Sequence, residues 1–173
     1  MTADGAFDDL LEANSEFASS FQNAGLPARA ARGLAVLTCM DSRIDPFSIL
    51  GIGPGDAKVL RNAGGRVTED VLRTLVLGAY LLNVTRVLIM PHTKCAMAGF
   101  TEDEIHKKIN AEHDVDTRSL EFRTTDDQLA SLRQDIVRIE SYPLLPTGLA
   151  VGGAVFDVDT GRIVPLDPAG ASG

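Results

Sequence analysis

Two runs of almost uniformly apolar residues constrain this chain most. LAVLTC (34–39) and the centre of TRVLIMPH (85–92) show no alternation of polar and apolar side chains. A strand that is apolar on both faces must be covered on both sides, as in a parallel sheet with helices packed against each face. We therefore predict that both runs are buried strands of such a sheet.

Segments with helical spacing and capping residues follow the strands, at 68–82, 101–112 and 126–141. A further strand, which runs into a flexible loop, is predicted over 57–65. This alternation predicts an α/β fold with a mostly parallel central sheet flanked by helices. The segment GLAVGGAVFDVDTGRIVPL (148–166) is typical of two strands joined by the turn DTG. It therefore predicts an antiparallel edge strand near the C-terminus.

The length of 173 residues fits a single domain over 1–173. Near the N-terminus, apolar residues recur at spacings of three and four, and they predict a helix over 6–22 with one apolar stripe. The stripe consists of Phe7, Leu10, Leu11, Phe17, Ala18 and Phe21. The last residues, 167–173, are mostly small, and we expect a loose tail there.

The formal net charge of −8 argues against nucleic-acid binding, because a basic surface supplies most of the affinity for phosphates. No apolar run approaches the ~20 residues of a membrane span, so no membrane partner is expected. The acidic start MTADGAFDDL lacks the basic and apolar regions of a signal peptide. Two cysteines are too few for a disulfide framework. We expect a cytoplasmic protein with reduced thiols.

Metal-ligating side chains follow two of the predicted strands. Cys39 ends the first apolar run, and His92 and Cys95 come directly after the other. In an open parallel sheet, ligands bind beyond the carboxyl ends of the strands, where the strand order reverses. If the two strands are neighbours, these residues converge there. Two thiolates and one imidazole are a zinc ligand set that leaves one position open, as in catalytic sites. The alternative is that each cysteine is a small buried apolar residue.

Asp41 and Arg43 follow Cys39 at intervals of two residues, so in an extended segment all three share a face. A neighbouring guanidinium keeps a carboxylate ionised. Asp41 could then accept a hydrogen bond from a water on the metal and orient it. If Arg43 released it, Asp41 could instead become a fourth ligand in an inactive state. The alternative is a surface ion pair in a turn.

These motifs together resemble the β-class carbonic anhydrases, in particular the short bacterial branch of the family. The family's two marks stand here as Cys39-Met40-Asp41-Ser42-Arg43 and His92-Thr93-Lys94-Cys95. The segment RNAGGRVTEDVLRTL (61–75) is similar to the family's segment between the two motifs. The likeness runs from about residue 33 to residue 157.

The resemblance implies a carbonate dehydratase, a zinc lyase with one Zn²⁺ per chain on Cys39, His92 and Cys95. It also implies a catalytic pair of Asp41 and Arg43, and reversible hydration of carbon dioxide to bicarbonate and a proton by zinc-bound hydroxide. The implied assembly is a homodimer or homotetramer in which the N-terminal helix lies across the partner subunit. The apolar stripe agrees with that docking, and it would equally suit a helix covering its own subunit.

Residues after the second predicted strand are candidates for the substrate cleft. Backbone groups of Gly64 and Gly65 are expected to border it, and Val67 is a candidate for its apolar wall. For the two glycines, a flexible turn is an equally good interpretation.

Two other functions compete with carbon dioxide hydration. Hydrolases of carbonyl sulfide or carbon disulfide also resemble this family, and the same zinc ligands would serve them. A non-catalytic zinc-binding regulatory domain is the third interpretation. Its mark would be a fourth protein ligand permanently on the metal, for which Asp41 is the candidate.

Overall fold

A computed structural model describes residues 5–167 of the chain. Its sheet has five strands in the order β2-β1-β3-β4-β5. The strands are β1 (Leu34–Cys39), β2 (Ala57–Asn62), β3 (Arg86–Met90), β4 (Ala150–Phe156) and β5 (Ile163–Pro165). The first four are parallel, and β5 pairs antiparallel with β4 at one edge. The predicted mostly parallel sheet and its antiparallel edge are therefore confirmed.

The strand order reverses at β1. The chain passes from β1 to β2 on one side, then returns to place β3 on the other side of β1. Every residue of β1 after Leu34 is buried, as its apolar sequence predicts. The crevice between the carboxyl ends of β1 and β3 is thus the place where such a sheet binds ligands.

Within the described residues, five helices flank the sheet or precede it. They are α1 (Asp8–Ser19), α2 (Pro46–Leu50), α3 (Glu69–Leu81), α4 (Glu102–His113) and α5 (Gln128–Glu140). Thr68 caps α3 by accepting a hydrogen bond from the backbone N–H of Val71. Thr101 and Glu104 form the capping box that their spacing predicts.

Some boundaries differ from the sequence-based prediction. The N-terminal helix spans Asp8–Ser19 rather than 6–22. Strand β2 ends at Asn62, because the chain turns through a short 3₁₀ helix at Ala63–Gly65, where Gly64 and Gly65 have positive φ angles. Strand β3 ends at Met90, before His92. Most of the predicted loose tail lies outside the described residues, which end at Asp167.

Helix α1 buries none of its residues against the described chain. Its apolar stripe faces solvent, with Leu10 60% and Phe17 57% exposed. The stripe therefore does not cover its own subunit, which was one of the two placements that the sequence left open. Between residues 5 and 167, no helix has both the length and the apolar character that a membrane crossing demands.

Candidate metal centre

The three predicted metal ligands converge at the reversal point of the sheet. Cys39 is the last residue of β1, and His92 and Cys95 lie in the loop that follows β3, its neighbour. Their ligand atoms all lie within 4.8 Å of one another, and all three residues are buried. The two Sγ atoms are 3.9 Å apart. Parallel pairing of β1 and β3 thus brings together residues that are more than fifty positions apart in sequence.

His92 is fully buried, and a hydrogen bond with the next residue orients its ring. Its Nδ1 lies 2.8 Å from the carbonyl oxygen of Thr93. Since a carbonyl only accepts, Nδ1 carries the proton, and the lone pair is on Nε2. Within the described chain this buried Nε2 has no hydrogen-bond partner. Buried polar atoms are nearly always satisfied. Beside two cysteine sulfurs, the unpartnered nitrogen therefore fits a bound metal ion, and this set of donors suits zinc.

A hydrogen bond between Cys39 and Cys95 shifts the pKa values of the two thiols in opposite directions. The hydrogen bond from Cys95 lowers the pKa of Cys39 to about 5, and backbone N–H groups of Asp41 and Gly64 add to the effect. The same interaction and burial raise the pKa of Cys95. Zinc takes cysteine as the thiolate, so metal binding at this pair would displace any proton that the two sulfurs still carry.

Arg43 holds the Asp41 carboxylate at the rim of the centre. Its Nε donates to Oδ1 at 2.9 Å and its Nη2 to Oδ2 at 2.7 Å, a bidentate pair. These hydrogen bonds keep the pKa of Asp41 well below its usual range. Oδ2 of Asp41 lies 3.7 Å from Nε2 of His92. Arg43 also donates a hydrogen bond of 3.3 Å to the carbonyl oxygen of Lys94. In the sequence, Lys94 lies between the ligand residues His92 and Cys95.

An open cleft of about 530 Å³ leads to the centre. Its walls include the ligand Cys39, the Asp41–Arg43 pair, Gly64, and the largely apolar residues Met40, Ala63, Ala96 and Met97. These apolar residues were not predicted as part of the cleft wall. Methionine and alanine have no reactive groups that would indicate a site. Only their positions could have indicated it, because each lies within two residues of a ligand cysteine or directly after β2.

Two predicted cleft residues lie deeper than expected. As far as the described chain shows, Gly65 and Val67 are not in the cleft wall. The backbone of Gly65 is pressed against the end of β1, where a Cβ would lie 3.0 Å from the carbonyl carbon of Thr38. Val67 is fully buried in the main core. In the single chain, the apolar wall predicted at Val67 is supplied by other residues.

These observations define the class of protein. It is an α/β protein with a Cys₂His cluster at the topological switch point, open on one side to a cleft that carries a carboxylate–guanidinium pair. Three protein ligands with one free position are typical of catalytic rather than structural zinc sites.

Comparison with known proteins identifies the family. The carbonic anhydrase family model matches residues 34–163. The chain belongs to the β-carbonic anhydrases, a family of carbonate dehydratases and zinc enzymes. The resemblance seen in the sequence is thereby confirmed.

Three relatives illustrate the range of similarity. Beta-carbonic anhydrase 1 of Mycobacterium tuberculosis is 37% identical over 162 residues, covering 93% of this chain and 98% of that protein. The crystal structure of carbonic anhydrase from Streptococcus mutans superposes with a TM-score of 0.88 at 36% identity, covering 96% of this chain and 100% of the other. Carbon disulfide hydrolase of Saccharolobus solfataricus is 31% identical over 156 residues, with 76% of each chain covered.

Proposed function

We propose that this protein catalyses the reversible hydration of carbon dioxide to bicarbonate and a proton, with one Zn²⁺ per chain on Cys39, His92 and Cys95. The observation that carries the proposal is the unpartnered, fully buried Nε2 of His92 beside two cysteine sulfurs. When bound, zinc supplies a Lewis acid that makes water a nucleophile near neutral pH, a role for which carbonic anhydrase is itself the standard example.

Asp41 and Arg43 would orient the reacting water. The bidentate hydrogen bonds from Arg43 keep Asp41 ionised, so its carboxylate can only accept. When the carboxylate accepts a hydrogen bond from the water, it fixes the direction of one O–H bond. A lone pair on the water oxygen then points toward the substrate carbon. Because Arg43 also binds the carbonyl oxygen of Lys94, the pair is tied to the loop that carries His92 and Cys95.

The cleft suits a small uncharged substrate. Met40, Ala63, Ala96 and Met97 give it a largely apolar lining near the proposed metal position. Arg43 at its rim is half exposed, with a side-chain exposure of 50%. A small neutral molecule can therefore reach the centre along apolar surface.

Hydrolysis of carbon disulfide or carbonyl sulfide is the second candidate, because carbon disulfide hydrolases are among the relatives. The share of each relative's length that this chain covers favours carbon dioxide as the substrate. The chain spans 98% of the tuberculosis carbonic anhydrase, whereas it spans 76% of the Saccharolobus hydrolase. About a quarter of that hydrolase thus lies outside the match. The zinc ligands themselves do not separate the two reactions.

A paired assay tests the proposed reaction. Stopped-flow hydration of carbon dioxide, followed with a pH indicator, should give a far larger kcat/KM than sulfide release from carbonyl sulfide or carbon disulfide by the same zinc-loaded protein. Faster turnover of a sulfur substrate would overturn the choice of carbon dioxide. Bound zinc without turnover of any of the three would instead support a regulatory domain.

We also propose that the protein is a homodimer, or a homotetramer built from such dimers, located in the cytoplasm. The support for assembly is the exposed apolar stripe of α1, which finds no cover on the described part of its own chain. A contiguous apolar patch of this kind is typical of a protein interface. Two free cysteines in a metal site suit a reducing compartment.

Leu10→Glu should shift the protein toward monomers without unfolding it. Leu10 is 60% exposed within the single chain, so the new charge meets water there and is buried only in an interface. Light scattering after size-exclusion chromatography measures the mass. Ser19→Glu, which adds the same charge outside the stripe, is the matched control. An unchanged mass for Leu10→Glu would argue against docking through α1.

A further inference from the structure

A largely buried ion pair lies beside the metal centre, where Arg66 and Asp135 line a small cavity together with the ligand Cys95. Asp135 of α5 is 3% exposed, and its Oδ2 accepts from Nε of Arg66 at 2.7 Å. The same oxygen accepts from the backbone N–H of Val67 at 3.3 Å. Desolvation makes buried ion pairs a poor source of stability. The pair is therefore better explained by what it holds in place.

Arg66 ends the turn that follows β2, and both its backbone and its side chain are fixed. The side chain of Asn62 accepts from the Arg66 N–H at 2.8 Å and donates to the Arg66 carbonyl oxygen at 2.7 Å. The Arg66 guanidinium also donates to the carbonyl oxygen of Arg123 at 3.1 Å. The turn is thus closed by Asn62 and anchored to α5 through Asp135.

The turn is wedged between the two segments that carry the cysteines. A Cβ on Gly65 would lie 3.1 Å from the backbone nitrogen of Cys39, and one on Gly64 would lie 3.1 Å from Cβ of Met97. Gly64 also lines the cleft next to both Cys39 and Cys95. Movement of this turn would therefore change the surroundings of both sulfurs.

We propose that Asp135, acting through Arg66, is a positioning residue that holds the Gly64–Gly65 turn against the two cysteine segments and so maintains the geometry of the metal centre. The inference rests on the proposed zinc site. Groups that orient metal ligands from behind commonly change metal affinity or activity by about 10–100-fold when they are replaced.

Asp135→Asn tests the role in the zinc-loaded protein. Asparagine keeps the size of the side chain but leaves the Arg66 charge uncompensated, which loosens the turn. We expect zinc release to a chelator to be faster by about tenfold or more. In the cobalt-substituted protein, the thiolate-to-metal absorption band should shift. Asp70→Asn is the matched control, because Asp70 pairs with Arg73 on the surface, with side chains 75% and 72% exposed. It should leave both readouts unchanged.

The double variant Arg66→Met with Asp135→Leu separates positioning from stability. It replaces the pair by apolar side chains and leaves no buried charge, although the backbone N–H of Val67 loses its acceptor, so the variant should fold with a modest loss in thermal midpoint. Zinc release should remain fast and the cobalt spectrum altered, because the turn is then no longer anchored to α5. Recovery of zinc retention in the folded double variant would overturn the inference, and so would an Asp135→Asn protein that matches the wild type.

The outcomes also separate this inference from the proposed function. A wild-type protein that binds no zinc contradicts the proposed zinc site itself. A wild-type protein that holds zinc and hydrates carbon dioxide, beside variants with unchanged zinc release and cobalt spectra, contradicts only the role of Asp135.

Discussion

Replacing His92 with alanine is expected to yield a protein that retains little zinc and hydrates carbon dioxide more slowly by a factor on the order of 10³ or greater. The imidazole is the only nitrogen donor of the cluster, and its Nε2 is the atom that has no partner within the described chain. Two sulfurs alone hold the ion poorly, and without the ion the site has no means of activating water near neutral pH. Metal analysis and stopped-flow hydration measure the two effects.

His113→Ala is the matched control for this variant. His113 ends α4, and its side chain is 68% exposed. This change should leave both zinc content and activity as in the wild type. Circular dichroism of His92→Ala checks that the emptied space in the core has not unfolded the chain. A folded His92→Ala protein with full zinc and full activity would contradict the assignment of His92 as a ligand.

Asp41→Asn should keep its zinc and lose activity by about 10²- to 10³-fold, the size of effect that loss of one positioned hydrogen bond to a reacting group commonly has. The new side chain would present an amide whose N–H₂ group donates, and it would lack the charge that holds Arg43 in its bidentate arrangement. The reacting water would then lose its fixed acceptor, while the three ligands stay in place. Zinc content and kcat, measured on one preparation, separate the two consequences.

The chain contains a matched control for this change as well. Asp116 and Arg118 form a similar pair on an exposed loop. Nε of Arg118 donates to Oδ1 of Asp116 at 2.9 Å, and Nη2 donates to Oδ2 at 2.6 Å. Asp116→Asn therefore removes the same kind of two-residue pair far from the proposed chemistry, and it should leave hydration unchanged. Full activity of Asp41→Asn would show that the pair at the cleft has no greater role than the one on the loop.

The lowered pKa of Asp41 sets the pH range in which its role applies. Because Arg43 stabilises the ionised form, Asp41 stays charged throughout the range above the ordinary aspartate pKa of about 4. Its contribution is lost only as the pH falls through the lowered pKa in the folded protein. The pH profile of wild-type hydration should therefore show no limb from Asp41 at mildly acidic pH.

The meeting of the three candidate ligands could be predicted from the sequence because local patterns and topology act together there. The apolar run of β1 predicts a buried strand that ends at Cys39, and the pattern of β3 predicts its neighbour, so the meeting of Cys39 with His92 and Cys95 follows from the position of strand ends. The capping box of α4 depends only on residues three apart, and it too was predictable.

The rest of the site depends on geometry that no short pattern records. Whether Val67 faces the cleft or the core is decided by the turn at Gly64, whose φ of +76° redirects the chain after β2. The pair of Arg66 and Asp135 joins residues 69 positions apart. An aspartate on a helix is usually solvent-exposed, and only tertiary packing reveals that this one is buried.

The placement of the cleft beyond the ends of the strands bears on how this scaffold changes during evolution. Met40, Ala63, Ala96 and Met97 all lie in connections outside the strands. Substitutions at such positions can reshape the entrance to the metal while the sheet and its packing are preserved. Substrate preference can thus diverge while the fold is kept, and the relatives of this chain include both carbonic anhydrases and carbon disulfide hydrolases.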